Sequence, residues 1–381
     1  MKATSKPTGI SLVSRPSLGE EELQRIREVL GTGWLGHGQF VMEFEGRLKL
    51  YLGASHVVAV SSGTAALHLA LDAIGVRTGD EVIVPSLTFC GCVQAITALN
   101  AKPVFCEVSP QTLNIDVADA RKRITSRTRA IMPVHYCGNA CDMDALLAVG
   151  RDYDVKIIED AAHAFGSSYH GRKLGSFGDL TCFSFDPIKN ITCGEGGAVA
   201  LSDEKRAQLI RHKRLLGIDR DGWLRHCEQQ SWLYDVSTQG YRYHMSNINA
   251  AIGLAQMEKL DGFLQRRRHI AQRYNEAFSG IEGIKLLEWN LEESCPFAYV
   301  VRIVDGRRDD LIDDLKHQQV ATGVNYIPNH LHSHFVAHAS SLPVTERLWR
   351  EIVTLPLYCD MKETDVSRVI ESVYSFFARR A

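Results

Sequence analysis

Short, nearly continuous apolar runs alternate with amphipathic stretches along the larger, N-terminal part of the chain. The runs are HVVAVSS (56–62), EVIVPS (81–86), KPVFCEV (102–108), TRAIMPVHY (128–136), VKIIEDAA (155–162) and LTCFSF (180–185). Between the first two, TAALHLALDAIG (64–75) has apolar residues at helical spacing and ends on a glycine. Apolar strands separated by helices are typical of a largely parallel sheet covered on both faces. The pattern therefore predicts a doubly wound α/β fold.

The pattern changes near residue 255. A long, charge-rich helix is predicted from Asn247 to about Phe278, followed by FAYVVRIV (297–304), a helix at 309–320, VNYIP (324–328) and a tail helix at 365–380. We predict a large α/β domain with an N-terminal arm over residues 1–255. Residues 256–381 are predicted to form a smaller α+β domain that includes the long linking helix. No low-complexity linker separates the two, so we expect them to pack together with a site between them.

Composition and charge exclude several classes of protein. The chain of 381 residues has a formal net charge of −2, so a nucleic acid is not an expected partner. No apolar segment has the length of a predicted membrane span, and the N-terminal residues lack the apolar core of a secretory signal. The ten cysteines fit a reducing compartment if they are free thiols. We therefore expect a soluble, cytoplasmic protein.

No metal site is expected. The closest cysteine pairs, Cys90/Cys92 and Cys137/Cys141, lack the paired CxxC spacing of a zinc site. Histidines cluster in HLHSHFVAH (330–338), but no carboxylate or cysteine among them completes a ligand set. The cysteines are interpreted as small buried residues.

Two local features point to ligand contacts at strand ends. Asp160 ends the buried run KIIED, and the carboxyl end of a parallel strand is where open α/β sheets place ligand-contacting groups. The alternative is that Asp160 caps a helix. In SSGTAA a strand turns into a helix through Gly63 and Thr64, so unpaired N–H groups at the helix start form an anion site. An ordinary capped turn is the alternative there.

The third feature is a lysine in apolar surroundings. Lys189 lies in FSFDPIKNITCGEGGAV (183–199), between buried-looking phenylalanines and a glycine-rich turn, and Ser184 precedes it on the strand. Pyridoxal 5′-phosphate (PLP) requires a lysine amine, a carboxylate for its pyridine nitrogen and a phosphate anchor. Phe89 follows another strand at its carboxyl end and could stack on the ring, although burial in the core is the commoner fate of a phenylalanine. The order of these residues along the chain favours a PLP site.

With these residues in place, the sequence resembles the PLP-dependent sugar-nucleotide aminotransferases of the DegT/StrS type, which have the type I aminotransferase fold. Their large domain contains a mostly parallel, seven-stranded sheet. The matching segments are 36–45, 61–71, 82–89, 157–185, 189–199, 249–260 and 342–358. They span nearly the whole chain, and the block from Asp160 to Lys189 is the most specific of them.

The resemblance implies roles for individual residues. Lys189 and Asp160 are expected to be catalytic: Lys189 holds the cofactor as a Schiff base and moves the proton, and Asp160 pairs with the pyridine nitrogen. The other residues implied to bind the cofactor are Gly63, Thr64 and Ser184 at the phosphate, Phe89 and Ala162 on the ring faces, His163 near the phenolate oxygen, and Arg242.

Four positions depart from the family pattern. Asp186 stands where relatives commonly have a histidine, and Asn325 also stands at a frequent histidine position. In GYRYHM (240–245), Arg242 and His244 replace the Asn and Arg of a block that contacts the phosphate of the neighbouring subunit. We expect Arg242 to reach a phosphate across a homodimer interface with its charge.

The resemblance also implies the reaction. An amino acid, L-glutamate, loads the cofactor as pyridoxamine phosphate (PMP), and the amine passes to a keto group of a nucleoside-diphosphate-linked sugar. Related dehydratases have a histidine in place of the lysine, so Lys189 argues for transfer. A cyclitol ketone is an alternative acceptor, and a non-catalytic binding protein is the alternative outside the enzymes. An obligate homodimer with shared active sites is expected.

Overall fold

The computed structural model describes Ile10 and residues 12–218 and 234–379. Its main sheet has seven strands in the order β1, β9, β8, β5, β4, β2, β3. These strands are β1 (His56–Val60), β2 (Glu81–Pro85), β3 (Lys102–Cys106), β4 (Thr128–Ile131), β5 (Lys156–Asp160), β8 (Leu180–Ser184) and β9 (Gly197–Leu201). Within this sheet β9 pairs antiparallel with β1 and with β8, and the other described pairings are parallel. The predicted α/β fold with a mostly parallel, seven-stranded sheet is confirmed.

Helices cover both faces of this sheet. They are α1 (Glu20–Thr32), α2 (Gln39–Leu52), α3 (Gly63–Ala73), α4 (Cys90–Thr97), α5 (Val117–Lys122), α6 (Met143–Tyr153) and α7 (Glu204–Lys213). Separate apolar clusters lie on the two faces, so the strands are buried on both sides. This double burial explains why the strands are apolar without alternation. A small hairpin, β6 (Ser168–Tyr169) and β7 (Arg172–Lys173), lies outside the main sheet.

The C-terminal part forms a second, antiparallel sheet. Helix α8 (Asn247–Phe278) leads to it and has the predicted bounds. Its N-cap is Ser246, whose hydroxyl accepts the N–H of Asn249. The sheet contains β10 (Ile284–Leu286), β11 (Tyr299–Ile303) and β12 (Ile352–Leu355) and packs with α9 (Arg308–His317), α10 (Pro343–Glu351) and α11 (Glu363–Ala378). Residues 324–328 have no regular secondary structure. A domain boundary at residue 255 stays a prediction.

The two sheets are joined by apolar and polar contacts. One buried cluster combines Leu87 and Tyr136 from the main-sheet part with Phe297 and Leu348 from the C-terminal part. The carboxylate of Glu107 accepts the N–H of Thr345 at 2.7 Å, at the start of α10. A buried carboxylate at a helix N-terminus is well stabilised by its unpaired N–H groups. The two parts are therefore held in one arrangement, with the candidate site beside the junction.

None of the helices in the described ranges combines the length and apolarity needed to cross a membrane. The nine cysteines in those ranges are all free thiols, and the tenth, Cys227, lies outside them. The described residues also contain no cluster of side chains able to hold a metal ion.

Candidate active site

One cavity of about 280 Å³ opens at the carboxyl ends of the parallel strands. Eight of the predicted site residues line it: Gly63, Thr64, Phe89, Asp160, Ala162, His163, Ser184 and Lys189. Asp160 and Ser184 are the last residues of β5 and β8, while Gly63 and Phe89 follow β1 and β2. Because these strands all end at the same edge of the sheet, residues far apart in sequence meet there.

Arg242 is the predicted site residue that the structure does not bring into this cavity. Its side chain is exposed, and its backbone forms an isolated bridge with Leu215. If Arg242 contacts a phosphate across a dimer interface, its side chain does not have to lie in the cavity of its own chain. That contact stays a prediction.

The start of α3 forms an anion cradle against Ser184. The Ser62 hydroxyl accepts the N–H of Ala65 at 3.1 Å, which sets the helix start at Gly63. A Cβ atom at Gly63 would lie 2.8 Å from Cβ and 3.1 Å from Oγ of Ser184. Glycine is therefore required here for the helix N-terminus to approach the serine hydroxyl. Helix N–H groups and a hydroxyl converging in a cavity suit a phosphate.

Replacing Gly63 by alanine is expected to weaken PLP binding by about 10- to 100-fold, because the added methyl must push Ser184 away from the helix start, an overpacking cost of about 1–3 kcal/mol. The measurement is a PLP titration of apoprotein. Gly262→Ala is the matched control, since a Cβ there meets no atom within 4 Å. Equal PLP affinities for the Gly63→Ala variant and wild type would contradict the cradle.

Asp160 is a buried carboxylate held at both of its oxygens. Its side chain is 5% exposed. The backbone N–H of Ala162 donates to Oδ1 at 2.9 Å, and the thiol of Cys92 donates to Oδ2 at 2.8 Å. A carboxylate accepts about four hydrogen bonds, so lone pairs remain for a ligand in the cavity.

Lys189 lies in the loop after β8, with its amine over an aromatic ring. Its Nζ is 4.4 Å from the centre of the Phe297 ring. Burial lowers the pKa of the Lys189 amine, while the carboxylates of Asp160 and Asp186 act in the opposite direction. A lowered pKa increases the neutral, nucleophilic fraction of the amine near neutral pH.

The lowered pKa predicts a pH dependence of PLP capture by apoprotein. Only the neutral amine attacks the PLP aldehyde, so the initial rate should rise with pH through the pKa of Lys189 and level off above it. The midpoint should lie below the value for an ordinary lysine, about 10.4. Stopped-flow absorbance measures this rate. A midpoint at or above that of a free lysine side chain would show that burial does not activate the amine.

His163 is fixed between two aromatic residues of the C-terminal part. Its ring stacks on Phe297 with 4.2 Å between centroids and a 10° interplanar angle. Its Nε2 is 2.9 Å from the hydroxyl of Tyr326. Burial lowers the pKa of His163 well below its ordinary value, so the ring is neutral. Its Nδ1 is buried without a hydrogen-bond partner among the described residues, and buried polar atoms of this kind normally have one.

Three residues of the site have no signal in the sequence patterns. Phe297 lies in a run that predicts only a strand, and Tyr326 lies in VNYIP. Tyr326 lines the cavity, and Phe297 packs beside it against His163 and Lys189, because the C-terminal part packs across the sheet edge. Cys92 belongs to a cysteine pair that, by its spacing, indicates only buried residues. The contact between Cys92 and Asp160 depends on the tertiary fold and has no local sequence pattern.

Two of the residues that depart from the family pattern, Asp186 and Asn325, line the cavity. Asp186 lines the cavity, and its Oδ1 accepts the N–H of Ile188 at 3.1 Å, which shapes the turn that carries Lys189. Asn325 also lines the cavity, and its Oδ1 accepts the hydroxyl of Thr354 at 2.9 Å. Glu195 adds another carboxylate to the cavity wall, and burial together with Asp186 raises its pKa. The cavity therefore has an acidic side.

Comparison with known proteins identifies the family. The family model of the DegT/DnrJ/EryC1/StrS aminotransferases matches residues 16–374. The chain belongs to this aminotransferase family. The spore coat polysaccharide biosynthesis protein SpsC of Bacillus subtilis is 39% identical over 377 residues, covering 94% of this chain and 95% of SpsC.

Solved structures agree in fold and sequence. The aminotransferase TlmJ from Streptoalloteichus hindustanus superposes with a TM-score of 0.91 at 35% identity, covering 97% of this chain and 99% of TlmJ. The putative sugar aminotransferase Spr1654 from Streptococcus pneumoniae superposes with a TM-score of 0.92 at 31% identity, with the same coverages. Spr1654 has been solved in PMP and PLP forms. The chain is thus a PLP-dependent aminotransferase of a sugar aminotransferase family, with the type I aminotransferase fold.

The cavity fits the cofactor of this family on independent structural grounds. The cradle that a Cβ at Gly63 would fill suits the phosphate, and Asp160 retains free lone pairs inside the cavity. The unpartnered Nδ1 of His163 is a buried polar atom that a bound ligand could satisfy. Lys189 completes the donor set that PLP chemistry requires.

Proposed function

We propose that the protein transfers the amino group of L-glutamate to a keto group of a nucleoside-diphosphate-linked sugar. The observation that carries the proposal is the meeting of the Lys189 amine, the Asp160 carboxylate and the cradle at Gly63 in one cavity. The acceptor class is supported by relatives named for spore coat polysaccharide biosynthesis and for sugar aminotransfer. The product would be an amino sugar for a natural product or a surface polysaccharide.

Each wall of the cavity would bind a different part of PLP. Gly63, Thr64 and Ser184 would hold the phosphate, and Asp160 would hold the protonated pyridine nitrogen. Ala162 and Phe89 would cover the two ring faces, with His163 at the phenolate oxygen. When bound, PLP withdraws electrons from the carbon that carries the amino group and so makes its proton removable.

Lys189 would then act as the proton carrier. Once free of the cofactor, its neutral Nζ would accept the proton from the substrate carbon and would hold it within the cavity for the return transfer. The burial that lowers its pKa increases the fraction of the amine that is able to do so. The ring of Phe297, 4.4 Å from Nζ and 2% exposed, keeps water from one side of the amine.

A half-reaction separates this proposal from its alternatives. The purified protein loaded with PLP should be yellow, and one equivalent of L-glutamate should convert it to the PMP form with release of 2-oxoglutarate. Borohydride added before glutamate should attach PLP to Lys189, as read by peptide mass spectrometry. A protein that binds no PLP would support a binding function. A PMP-loaded protein that removes oxygen from a keto sugar nucleotide without transferring nitrogen to it would support a dehydratase.

The acceptor needs a separate assay. PMP-loaded enzyme should return to the PLP form with a keto sugar nucleotide and not with a cyclitol ketone. A panel that varies the base and the position of the keto group would identify the substrate. Return of the PLP form only with cyclitol ketones would replace the proposed acceptor while leaving transamination intact.

We also propose a homodimer in which Arg242 serves the partner's cavity. Exposed apolar side chains such as Leu23, Leu30 and Met42 on α1 and α2 provide a surface that a second copy would cover. The charged side chain of Arg242 is exposed and lies outside the cavity of its own chain, so it is accessible to a second copy.

Mixed dimers test this shared site. Lys189→Ala and Arg242→Ala chains are each expected to have low activity alone. After mixing and subunit exchange, one cavity per mixed dimer would combine an intact Lys189 with an intact Arg242, so activity should return. An activity equal to the sum of the separate variants would show that Arg242 does not act across the interface.

The location is expected to be the cytoplasm, where the free thiols would stay reduced. Fractionation of the native host, with the chain detected by an antibody, tests this expectation. Recovery from an oxidising compartment would contradict it.

A further inference from the structure

A thiol donates a hydrogen bond to the carboxylate at the centre of the cavity. The Sγ atom of Cys92 lies 2.8 Å from Oδ2 of Asp160, and the Cys92 side chain is 1% exposed. A thiol is ordinarily a weak donor, and sulfur contacts are ordinarily longer than N–H···O bonds. A short contact to a charged acceptor in a buried place is therefore a specific interaction.

The neighbours of Cys92 fix the direction of its proton. Oγ1 of Thr88 lies 3.4 Å from the same sulfur. The single S–H of Cys92 is donated to Asp160, so in the contact with Thr88 the threonine hydroxyl donates to the sulfur. Burial and the negative charge of Asp160 both raise the pKa of the thiol well above its ordinary value. Cys92 therefore stays protonated and is a permanent donor.

The local backbone is built to bring this thiol to Asp160. Cys92 lies in the first turn of α4, next to Gly91. A Cβ at Gly91 would lie 3.0 Å from Oγ1 of Thr64 and 3.1 Å from the Phe89 ring. Glycine lets the turn pack closely on the cavity wall.

The remaining oxygen is held by the backbone. Oδ1 of Asp160 accepts the N–H of Ala162 at 2.9 Å. Two donors, one at each oxygen, prevent rotation of the carboxylate about its Cβ–Cγ bond. Without Cys92, the Oδ1 contact alone would remain of the hydrogen bonds that the described residues make to this carboxylate, which could then turn away from the cavity.

We propose that Cys92 is a positioning residue, whose thiol holds Asp160 in the orientation that meets the pyridine nitrogen of PLP. This inference rests on the proposed function for its consequence in binding, but the hydrogen bond itself exists in the apoprotein. The hydrogen bond in apoprotein and its effect on PLP binding are therefore tested by separate experiments.

Infrared spectroscopy of apoprotein tests the hydrogen bond. The S–H stretch lies in a spectral window with few other protein bands, and the wild-type minus Cys92→Ser difference isolates the band of Cys92. We expect this band at lower frequency than those of the other thiols, and a shift to higher frequency in Asp160→Asn. A Cys92 band at the frequency of unbonded thiols, unmoved in Asp160→Asn, would overturn the proposal whether or not the protein binds PLP.

PLP titration tests the positioning role. Cys92→Ala and Cys92→Val should bind PLP about tenfold more weakly, the effect of losing one hydrogen bond to a charged group. Cys92→Ser keeps a donor and should stay within about threefold of wild type. The control is Cys182→Ala, which removes another buried thiol, on the strand paired with Asp160. Wild-type affinity in both Cys92→Ala and Cys92→Val, or a serine variant as weak as alanine, would overturn the role.

Discussion

Replacing Lys189 by alanine is expected to lower turnover with glutamate and a keto sugar nucleotide by about 10⁴-fold or more, since in the proposed mechanism this side chain is both the nucleophile and the proton carrier. PLP should still bind, because the cradle at Gly63 and the Asp160 carboxylate remain. The bound cofactor should then absorb like free PLP and resist attachment by borohydride. Steady-state kinetics and absorbance spectra of the same preparations measure both effects.

Lys173 offers a closely matched control for this variant. Its Nζ lies 5.0 Å from the centre of the Tyr51 ring, and burial lowers the pKa of its amine too, as at Lys189. It lies outside the residues that line the cavity. Lys173→Ala should therefore keep wild-type spectra and turnover. A Lys189→Ala enzyme with more than about a tenth of wild-type turnover would be incompatible with proton transfer by this amine.

Replacing Asp160 by asparagine is expected to lower turnover by about 10²–10³-fold, the typical loss on removing one electrostatic contact that strengthens in the transition state. Asparagine preserves the shape but has no negative charge to keep the pyridine nitrogen protonated. The half-reaction with glutamate should slow by the same factor as the full reaction, because both depend on electron withdrawal by the ring. Single-turnover absorbance measurements give the rate of this step.

The control for Asp160→Asn is the same change at Asp179. Asp179 precedes β8 at the opposite edge of the sheet, and its Oδ2 accepts the N–H of Ile157 at 3.0 Å. Asparagine can keep that contact through its carbonyl oxygen, so we expect near-normal turnover. Similar losses in the two variants would mean that the Asp160 effect is on folding and not on chemistry.

Much of the site could be predicted because it lies at strand ends. The apolar runs that end at Asp160 and Ser184, and the turn at Gly63, follow local rules of strand and helix formation. A parallel sheet brings such ends to one edge, so the order of residues in sequence predicts their meeting in space. Helix α8 was predictable with its bounds because its start has a serine cap and its pattern is long.

The rest of the site depends on packing between distant segments. Phe297 and Tyr326 reach His163 only after the second sheet docks on the first, and no short pattern around either residue indicates that contact. The hydrogen bond from Cys92 to Asp160 likewise depends on the position of α4 against the sheet. The loop that carries Lys189 connects β8 to the antiparallel β9, and it is closed where Phe185 donates its N–H to the carbonyl oxygen of Gly196 at 2.8 Å.

The most direct test of amino transfer follows the nitrogen atom itself. The enzyme loaded with PLP is given ¹⁵N-labelled L-glutamate and a keto sugar nucleotide, and the sugar product is analysed by mass spectrometry. We predict an amino sugar nucleotide that contains the label, formed together with 2-oxoglutarate in equal amount and absent with Lys189→Ala. A product that has lost oxygen without gaining labelled nitrogen, or an unchanged sugar with wild-type enzyme in the PMP form across the substrate panel, would contradict the proposed transfer.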